Sequence, residues 1–255
     1  MIFYFSGTGN SAWVAQKLAH LLHDQTRPIG EVLTGTSDSY QLDANEKIGF
    51  VFPVYAWGPP QVMLEFLKRL QSPMPAYTYF VCTCGDDTGK TADMFVQALK
   101  RKGWTCQSGF SVTMPNTYVS LPGFDVDDAD TERMKVTHAL SRIQFIAQEI
   151  EQSVVHSSYN CHEGVFPRLK TYVIRPFFTR YLMKVSPFHS TDACVGCGEC
   201  ESVCPLHNIR LVDGRPVWSD VCAHCLACYH ACPKHAVAYG NRTEGKGQYK
   251  SEHLV

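Results

Sequence analysis

The sequence predicts an α/β chain: a doubly wound, five-stranded parallel sheet followed by a small α+β unit. Three observations carry this. Through residues 1–154, short apolar runs alternate with segments whose apolar residues recur every three or four positions, the pattern of consecutive βα units. Turn-rich loops follow the apolar runs, at the strand ends where doubly wound sheets bind ligands. The last third changes character, because eight of the twelve cysteines fall between Cys194 and Cys232.

The elements follow in order. Ile2–Phe5 is an apolar run stopped by a glycine-rich turn, so it reads as the first strand. Asn10–Leu22 places Val14, Leu18, Leu21 and Leu22 on one helical face. A weaker strand is expected over Arg27–Leu33 and a strong one over Lys47–Val54. Pro59-Pro60 opens a helix with Val62, Met63, Phe66, Leu67 and Leu70 inward, since proline suits a first turn. Tyr77–Cys82 is a strand, Thr88–Gly103 a helix closed by glycine, and Trp104–Met114 contains the fifth strand. Val136, Leu140, Ile143, Ala147 and Ile150 mark the last helix of this unit.

Residues 155–188 form a connecting arm. Between Val165 and Lys184 it carries Arg168, Lys170, Arg175, Arg180 and Lys184, no acid, and many aromatic and aliphatic residues. It reads as a connector packed on both units, or as a docking surface for an acidic partner or lipid headgroups. Pro176 argues against one long helix there. Residues 189–240 are an internal repeat, in which Pro205–Ile209 lines up with Pro233–Val237. Asp213-Gly214 reads as a tight turn between strands Ile209–Val212 and Arg215–Trp218. The polar tail, 241–255, is expected to be loosely ordered.

The cysteines fall into two copies of Cys-x-x-Cys-x-x-Cys-x-x-x-Cys-Pro: Cys194, Cys197, Cys200, Cys204 with Pro205, and Cys222, Cys225, Cys228, Cys232 with Pro233. The spacing is similar to that of bacterial ferredoxins holding two 4Fe-4S clusters. That resemblance implies that each motif gives its fourth cysteine to the other cluster. Cluster one is then expected on Cys194, Cys197, Cys200 and Cys232, and cluster two on Cys204, Cys222, Cys225 and Cys228. Zinc is the rival, but zinc sites usually use two separated Cys-x-x-Cys pairs.

The second motif is Ser6-Gly7-Thr8-Gly9-Asn10-Ser11, between the first strand and the first helix. Glycines let the backbone curl, a helix N-terminus offers free N–H groups, and the hydroxyls and amide add donors for a phosphate. The stretch also fits a dinucleotide fingerprint, with Glu31 where a ribose-binding acid would stand. Hydroxyl density favours a terminal monoester phosphate, as in FMN. Two further loops agree: in the first, Pro53, Tyr55, Ala56, Trp57 and Gly58, the rings of Tyr55 and Trp57 offer flat faces for an isoalloxazine, and in the second the backbone of Cys84, Gly85, Asp86 and Asp87 could edge its pyrimidine side.

Residues 1–150 resemble a flavodoxin-type FMN domain, and the whole chain resembles the flavodoxin–ferredoxin fusion proteins of anaerobes, the EFR-type ferrodoxin family. The stretches that carry this are Phe5–Ser11, Phe52–Pro59, Met114–Tyr118 and the two cysteine motifs. The resemblance implies FMN, two 4Fe-4S clusters and electron transfer. It also implies that Asn116 lies near the flavin and that Gly58 lets a peptide carbonyl turn toward flavin N5 when N5 is protonated. Asp86 and Asp87 would lower the flavin potential.

Composition narrows the rest. A formal net charge of −1 argues neither for nucleic acid nor for a membrane surface, no apolar stretch is long enough to span a bilayer, and a cytoplasmic location is expected. No nucleophile–base pair stands out among the eleven histidines, so no catalytic residue is assigned. His207 and His235 hold equivalent repeat positions and are expected to pack or lie at the surface. The leading reading is an electron carrier between unidentified protein redox partners. The alternatives are a flavin-dependent reductase of a small acceptor such as a quinone, fed by the clusters, and a redox-sensing interaction module.

Overall fold

The structure is a computed structural model and describes residues 1–35 and 46–249. The N-terminal unit holds strands β1 (Ile2–Tyr4), β2 (Thr26–Pro28), β3 (Lys47–Pro53), β4 (Tyr77–Cys84) and β5 (Ser108–Thr113). Helices α1 (Asn10–Leu21), α2 (Ile29–Thr34), α3 (Gln61–Arg69), α4 (Thr91–Arg101) and α5 (Ala129–Glu151) alternate with them. The strands pair in parallel in the order β2-β1-β3-β4-β5. Every residue of β4 is buried, as expected of a strand covered on both faces. Val14 and Leu18 of α1 pack with Ile143, Ile146 and Ile150 of α5 on one face of the sheet. Met63, Phe66, Phe95 and Leu99 of α3 and α4 pack on Phe50, Phe52 and Phe80 on the other.

Two expectations shift. The segment over Arg27–Leu33 divides into β2 and α2 rather than forming one strand. Pro28 ends the edge strand because it has no N–H to continue a ladder, and α2 then buries Ile29 and Val32. Helix α5 starts earlier than its apolar pattern, where Asp128 accepts hydrogen bonds from the N–H groups of Asp130 (3.0 Å) and Thr131 (2.8 Å). Its inward face is Ala139, Ile143, Ile146, Ala147 and Ile150, and Leu140 points outward.

The arm is a helical run despite Pro176: α6 (Pro167–Leu169), a wide π-type turn (Lys170–Ile174) and α7 (Arg175–Tyr181) follow without a break. The π turn shifts the hydrogen-bond register, so Pro176 occupies the first turn of a new α segment, where its missing N–H costs little.

The C-terminal unit pairs β6 (Phe188–Ser190) with β9 (Val237–Tyr239) and β7 (Ile209–Val212) with β8 (Arg215–Trp218), both antiparallel. Asp213 and Gly214 both take positive φ (49° and 74°), the conformation a two-residue hairpin needs. Short helices α8 (Glu199–Ser202) and α9 (Ala227–Ala231) each carry the third cysteine of a triplet, Cys200 and Cys228. Phe188, Tyr229, Tyr239, Ile209 and Val237 form its core, which also takes in Val119 from the first unit. Leu206 in turn joins the core of the first unit.

The tail is not loose as far as it is described. Tyr249 is buried, its hydroxyl donates to Asn10 Oδ1 (2.8 Å) and its N–H to His230 Nδ1 (3.0 Å). The amide of Gln248 donates to the carbonyls of Tyr229 and Cys232. A polar tail can order in this way because its side chains satisfy buried groups of both units. Residues 250–255 lie outside the described residues. Among those described, no helix is long and apolar enough to cross a membrane.

Candidate functional site: a cavity walled by both units

A cavity of about 360 Å³ opens at the C-terminal ends of β1, β3, β4 and β5. Three expected loops meet there: Ser6–Thr8 with Asn10 and Ser11, Pro53 with Tyr55–Trp57, and Cys84–Asp87. Gly9 and Gly58 do not line it. Gly9 instead turns the chain into α1 with φ 98°, and no side chain caps that helix, leaving its first N–H groups facing the loop. The Gly58 carbonyl accepts the Tyr55 N–H (2.9 Å), and the Arg175 guanidinium lies across its Cα.

The loop's polar atoms divide into engaged and free. Ser11 Oγ shares a 2.8 Å hydrogen bond with Thr83 Oγ1, and Asn10 donates to the Pro115 carbonyl (2.9 Å) while accepting from Tyr249. These two side chains therefore brace the loop rather than offer free donors. Ser6 Oγ is buried with no hydrogen-bond partner, and Thr8 Oγ1 has only a long contact (3.3 Å) to Thr117. A buried hydroxyl without a partner at a curled, uncapped helix start fits an anionic phosphate.

The cavity rim is aromatic and charged. Ala56 and Trp57 both take positive φ, which turns this loop tightly over the cavity. Burial, together with the neighbouring Cys225 and Cys222, pushes the Tyr55 phenol well above its usual range, so it stays neutral. Asp87 is ion-paired with Lys170 of the arm, and the Lys170 ammonium sits 5.8 Å from the Trp57 ring. Asp87 thus brings a paired rather than an isolated negative charge to the rim. Asn116 also reaches the cavity: its N–H and side-chain amide donate to Asp127, which pairs with Lys135 (2.6 Å). Gly85 is required beside it, because a Cβ there would lie 1.6 Å from Asn116 Oδ1. Burial pushes the Cys84 thiol up to about 12, which makes it a packing group.

Sequence reasoning missed the far wall. Lys170, Phe178 and Met183 of the arm line the cavity, as do Tyr118, His224, Cys225 and Leu226. A Cβ on Gly7 would lie 2.5 Å from Cys225 Cβ and 2.8 Å from its carbonyl oxygen, so the phosphate-type loop rests directly on the second cysteine motif. The repeat itself held the signal. Gly196 and Gly198 of the first motif take positive φ (67° and 82°), and their counterparts His224 and Leu226 take it too (54° and 62°). Non-glycine residues in that region are strained and tend to persist where their side chains are needed. His224 and Leu226 use theirs to wall the cavity, and both ring nitrogens of His224 are buried without partners.

The cysteines gather across the repeat. Among the described residues no three of His, Cys, Asp or Glu converge on the position of a single ion. Four cysteines line each of two small cavities, however: Cys194, Cys197, Cys200 and Cys232 in one, and Cys204, Cys222, Cys225 and Cys228 in the other. Two equivalent N–H···S contacts support them, from Asn208 to Cys204 Sγ (3.3 Å) and from Ala236 to Cys232 Sγ (3.2 Å). All-thiol donor sets with backbone N–H groups aimed at sulfur suit iron–sulfur chemistry. His207 and His235 are exposed and take matching positive φ (48° and 51°), and His235 Nε2 meets the Tyr229 hydroxyl at 2.7 Å. The first cavity is the outer one, since Cys197 is exposed, while Cys225 faces the loop at Gly7.

Residues 1–120 match the model of a flavodoxin domain, and residues 182–237 match that of a 4Fe-4S dicluster domain. A search of the curated proteins finds no match. Among solved structures, a putative flavoprotein from Bacteroides uniformis shares 13% identity over 44% of this chain and 88% of its own, with a TM-score of 0.34. The Trp repressor binding protein from Bacillus subtilis shares 13% over 62% of this chain and 100% of its own (TM-score 0.34). The azoreductase AzrA shares 9% over 58% and 99% (TM-score 0.36). With a flavodoxin domain and a 4Fe-4S dicluster domain in one polypeptide, the chain is a flavodoxin–ferredoxin fusion, an electron-transfer protein of the flavin and iron–sulfur kind.

Proposed function

We propose that this chain passes electrons between FMN in the cavity at the strand ends and two 4Fe-4S clusters, and from there to protein redox partners. FMN supplies one- and two-electron chemistry and each cluster one-electron chemistry, so their union would convert between the two. Ser6, Thr8 and the backbone of residues 6–11 would hold the phosphate. Tyr55 and Trp57 would face the ring, with Cys84–Asp87 and Asn116 along its edge. Cys204, Cys222, Cys225 and Cys228 would hold the inner cluster, and Cys194, Cys197, Cys200 and Cys232 the outer one, beside the exposed Cys197.

The observation that carries this reading is the shared wall: Cys225, with His224 and Leu226, lines the cavity that the flavodoxin loops form. An anaerobic reductive titration of the loaded protein tests it. Flavin and cluster absorbance should respond together in wild type. In Cys225→Ser the flavin should be retained while one-electron donors reduce it at least tenfold more slowly. Equal rates in the two proteins would refute the path.

A second reading rests on a second cavity of about 500 Å³, which shares Tyr55, Met183 and His224 with the first and reaches Cys222. It has room for a small acceptor such as a quinone. Multiple turnovers with a soluble quinone would favour the reductase, and one stoichiometric reduction would favour the carrier.

A further inference from the structure

The arm is built inside out. Three of its polar side chains anchor it inward: Lys170 pairs with Asp87, Thr171 donates to the Trp57 carbonyl (2.9 Å) and Arg175 to the Pro59 carbonyl (2.9 Å). Most of its large apolar side chains point outward, Phe178 and Met183 of the cavity wall excepted. Phe166, just before the helical run, and Leu169, Tyr172, Val173, Phe177 and Tyr181 along it are between 49% and 74% exposed. Among the rings of the described residues, Phe177 and Tyr181 pack on each other, at 4.9 Å between centroids. A helix that spends its polar groups on the protein and presents its apolar groups outward is shaped for a second surface.

Charge selects that surface. Five of the chain's 23 lysines and arginines fall between Val165 and Lys184, and none of its 24 acids does. Lys170 and Arg175 are used inward, while Arg168, Arg180 and Lys184 stay exposed beside the apolar face. A second copy docking arm to arm would set these cations against their own like. The ridge is aromatic, aliphatic and cationic with no acid, so it suits a surface that is both apolar and anionic. That is the composition of a helix lying in the plane of a lipid interface.

We propose that the arm docks this protein on an anionic membrane surface. Phe166, Tyr172, Val173 and Phe177 would enter the boundary between headgroups and acyl chains, and Arg168, Arg180 and Lys184 would lie among headgroup phosphates. The inference does not depend on the cofactors, since it rests on the outer face of the arm alone.

Co-sedimentation of the full-length protein with vesicles tests it, using equal parts phosphatidylglycerol and phosphatidylcholine against phosphatidylcholine alone. Binding is expected to the anionic vesicles, falling with added salt. Each surface cation contributes about fivefold in partitioning, so Arg168→Gln, Arg180→Gln and Lys184→Gln together should weaken binding about 100-fold. Phe166→Ser with Phe177→Ser should weaken it at least tenfold. Unfolding midpoints equal to wild type, expected because these side chains are exposed, show that the variants are folded. The proposal is overturned by no vesicle binding, by equal binding to both lipid mixtures, or by binding that neither variant set changes. Light scattering showing a dimer that these variants dissolve, or an acidic protein that takes up the arm while vesicles do not, would overturn it as well.

Discussion

Gly7→Ala tests whether the flavodoxin-type loop and the second cysteine motif are one packed unit. Gly7 does not take a positive φ, so alanine adds no backbone strain and the effect reports contact alone. The new methyl would lie 2.5 Å from Cys225 Cβ and 2.8 Å from the Cys225 carbonyl oxygen. Carbon atoms in contact rest near 3.5–4.0 Å, so the two segments must part by roughly 1 Å. Neither side can yield by rotating a long side chain, because the obstructing atoms are a backbone carbonyl and a Cβ fixed to it. Overpacking of this kind costs about 1–3 kcal/mol. If the loop yields, that cost appears as flavin affinity weakened by about 5- to 150-fold. If the cysteine motif yields, it appears as a lowered urea midpoint of the cluster-loaded protein. Fluorescence titration with FMN and urea unfolding measure the two shares. A variant whose FMN affinity and midpoint both match wild type would show that the two segments are not in contact, and the shared wall would go with them.

Tyr249→Phe should cost about 1–3 kcal/mol in urea unfolding, because it leaves the buried Asn10 Oδ1 without its donor; a loss under about 0.3 kcal/mol would mean that the tail is not clamped on the loop. Cys232→Ala should halve the iron and sulfide content by removing the cluster proposed on Cys194, Cys197 and Cys200, and full content would refute the cross-over. Asp87→Asn leaves Lys170 without its acidic partner beside the cavity, so the flavin potential should rise; an unchanged redox titration would take this pair out of potential control. Cys84, its thiol pushed up to about 12 by burial, should alkylate at pH 8 about a thousandfold more slowly than an ordinary thiol. Because the thiolate is the reactive form, its rate should climb about tenfold per pH unit toward that value. Peptide mass mapping reads it, and labelling as fast as a free thiol would place Cys84 in solvent.

What local chemistry controls was legible in the chain. Strand and helix periods, the curl of Ser6–Ser11, the Asp213-Gly214 hairpin and the cysteine spacing all act over a few residues, and the structure carries each of them. Edges were less legible: Arg27–Leu33 holds a proline that closes a strand and opens a helix, and only packing against Phe3 and Phe66 decides which apolar residues turn inward. The site was half legible. Its near wall lies in loops that follow strands, and a doubly wound sheet brings such loops together by topology. Its far wall comes from residues distant in the chain: Lys170 meets Asp87 across 83 positions, and Cys225 meets Gly7 from the other domain. Comparing the repeats would have flagged His224 and Leu226, since they stand where the first copy has glycine. The sequence by itself therefore determined the two domains and the kinds of group that they bind. Tertiary structure alone decided that the domains share one cavity, that Tyr249 closes on the loop and that the arm turns its apolar side outward. Each of these rests on contacts between segments far apart in the chain, and no local period or spacing encodes which distant surface a side chain meets.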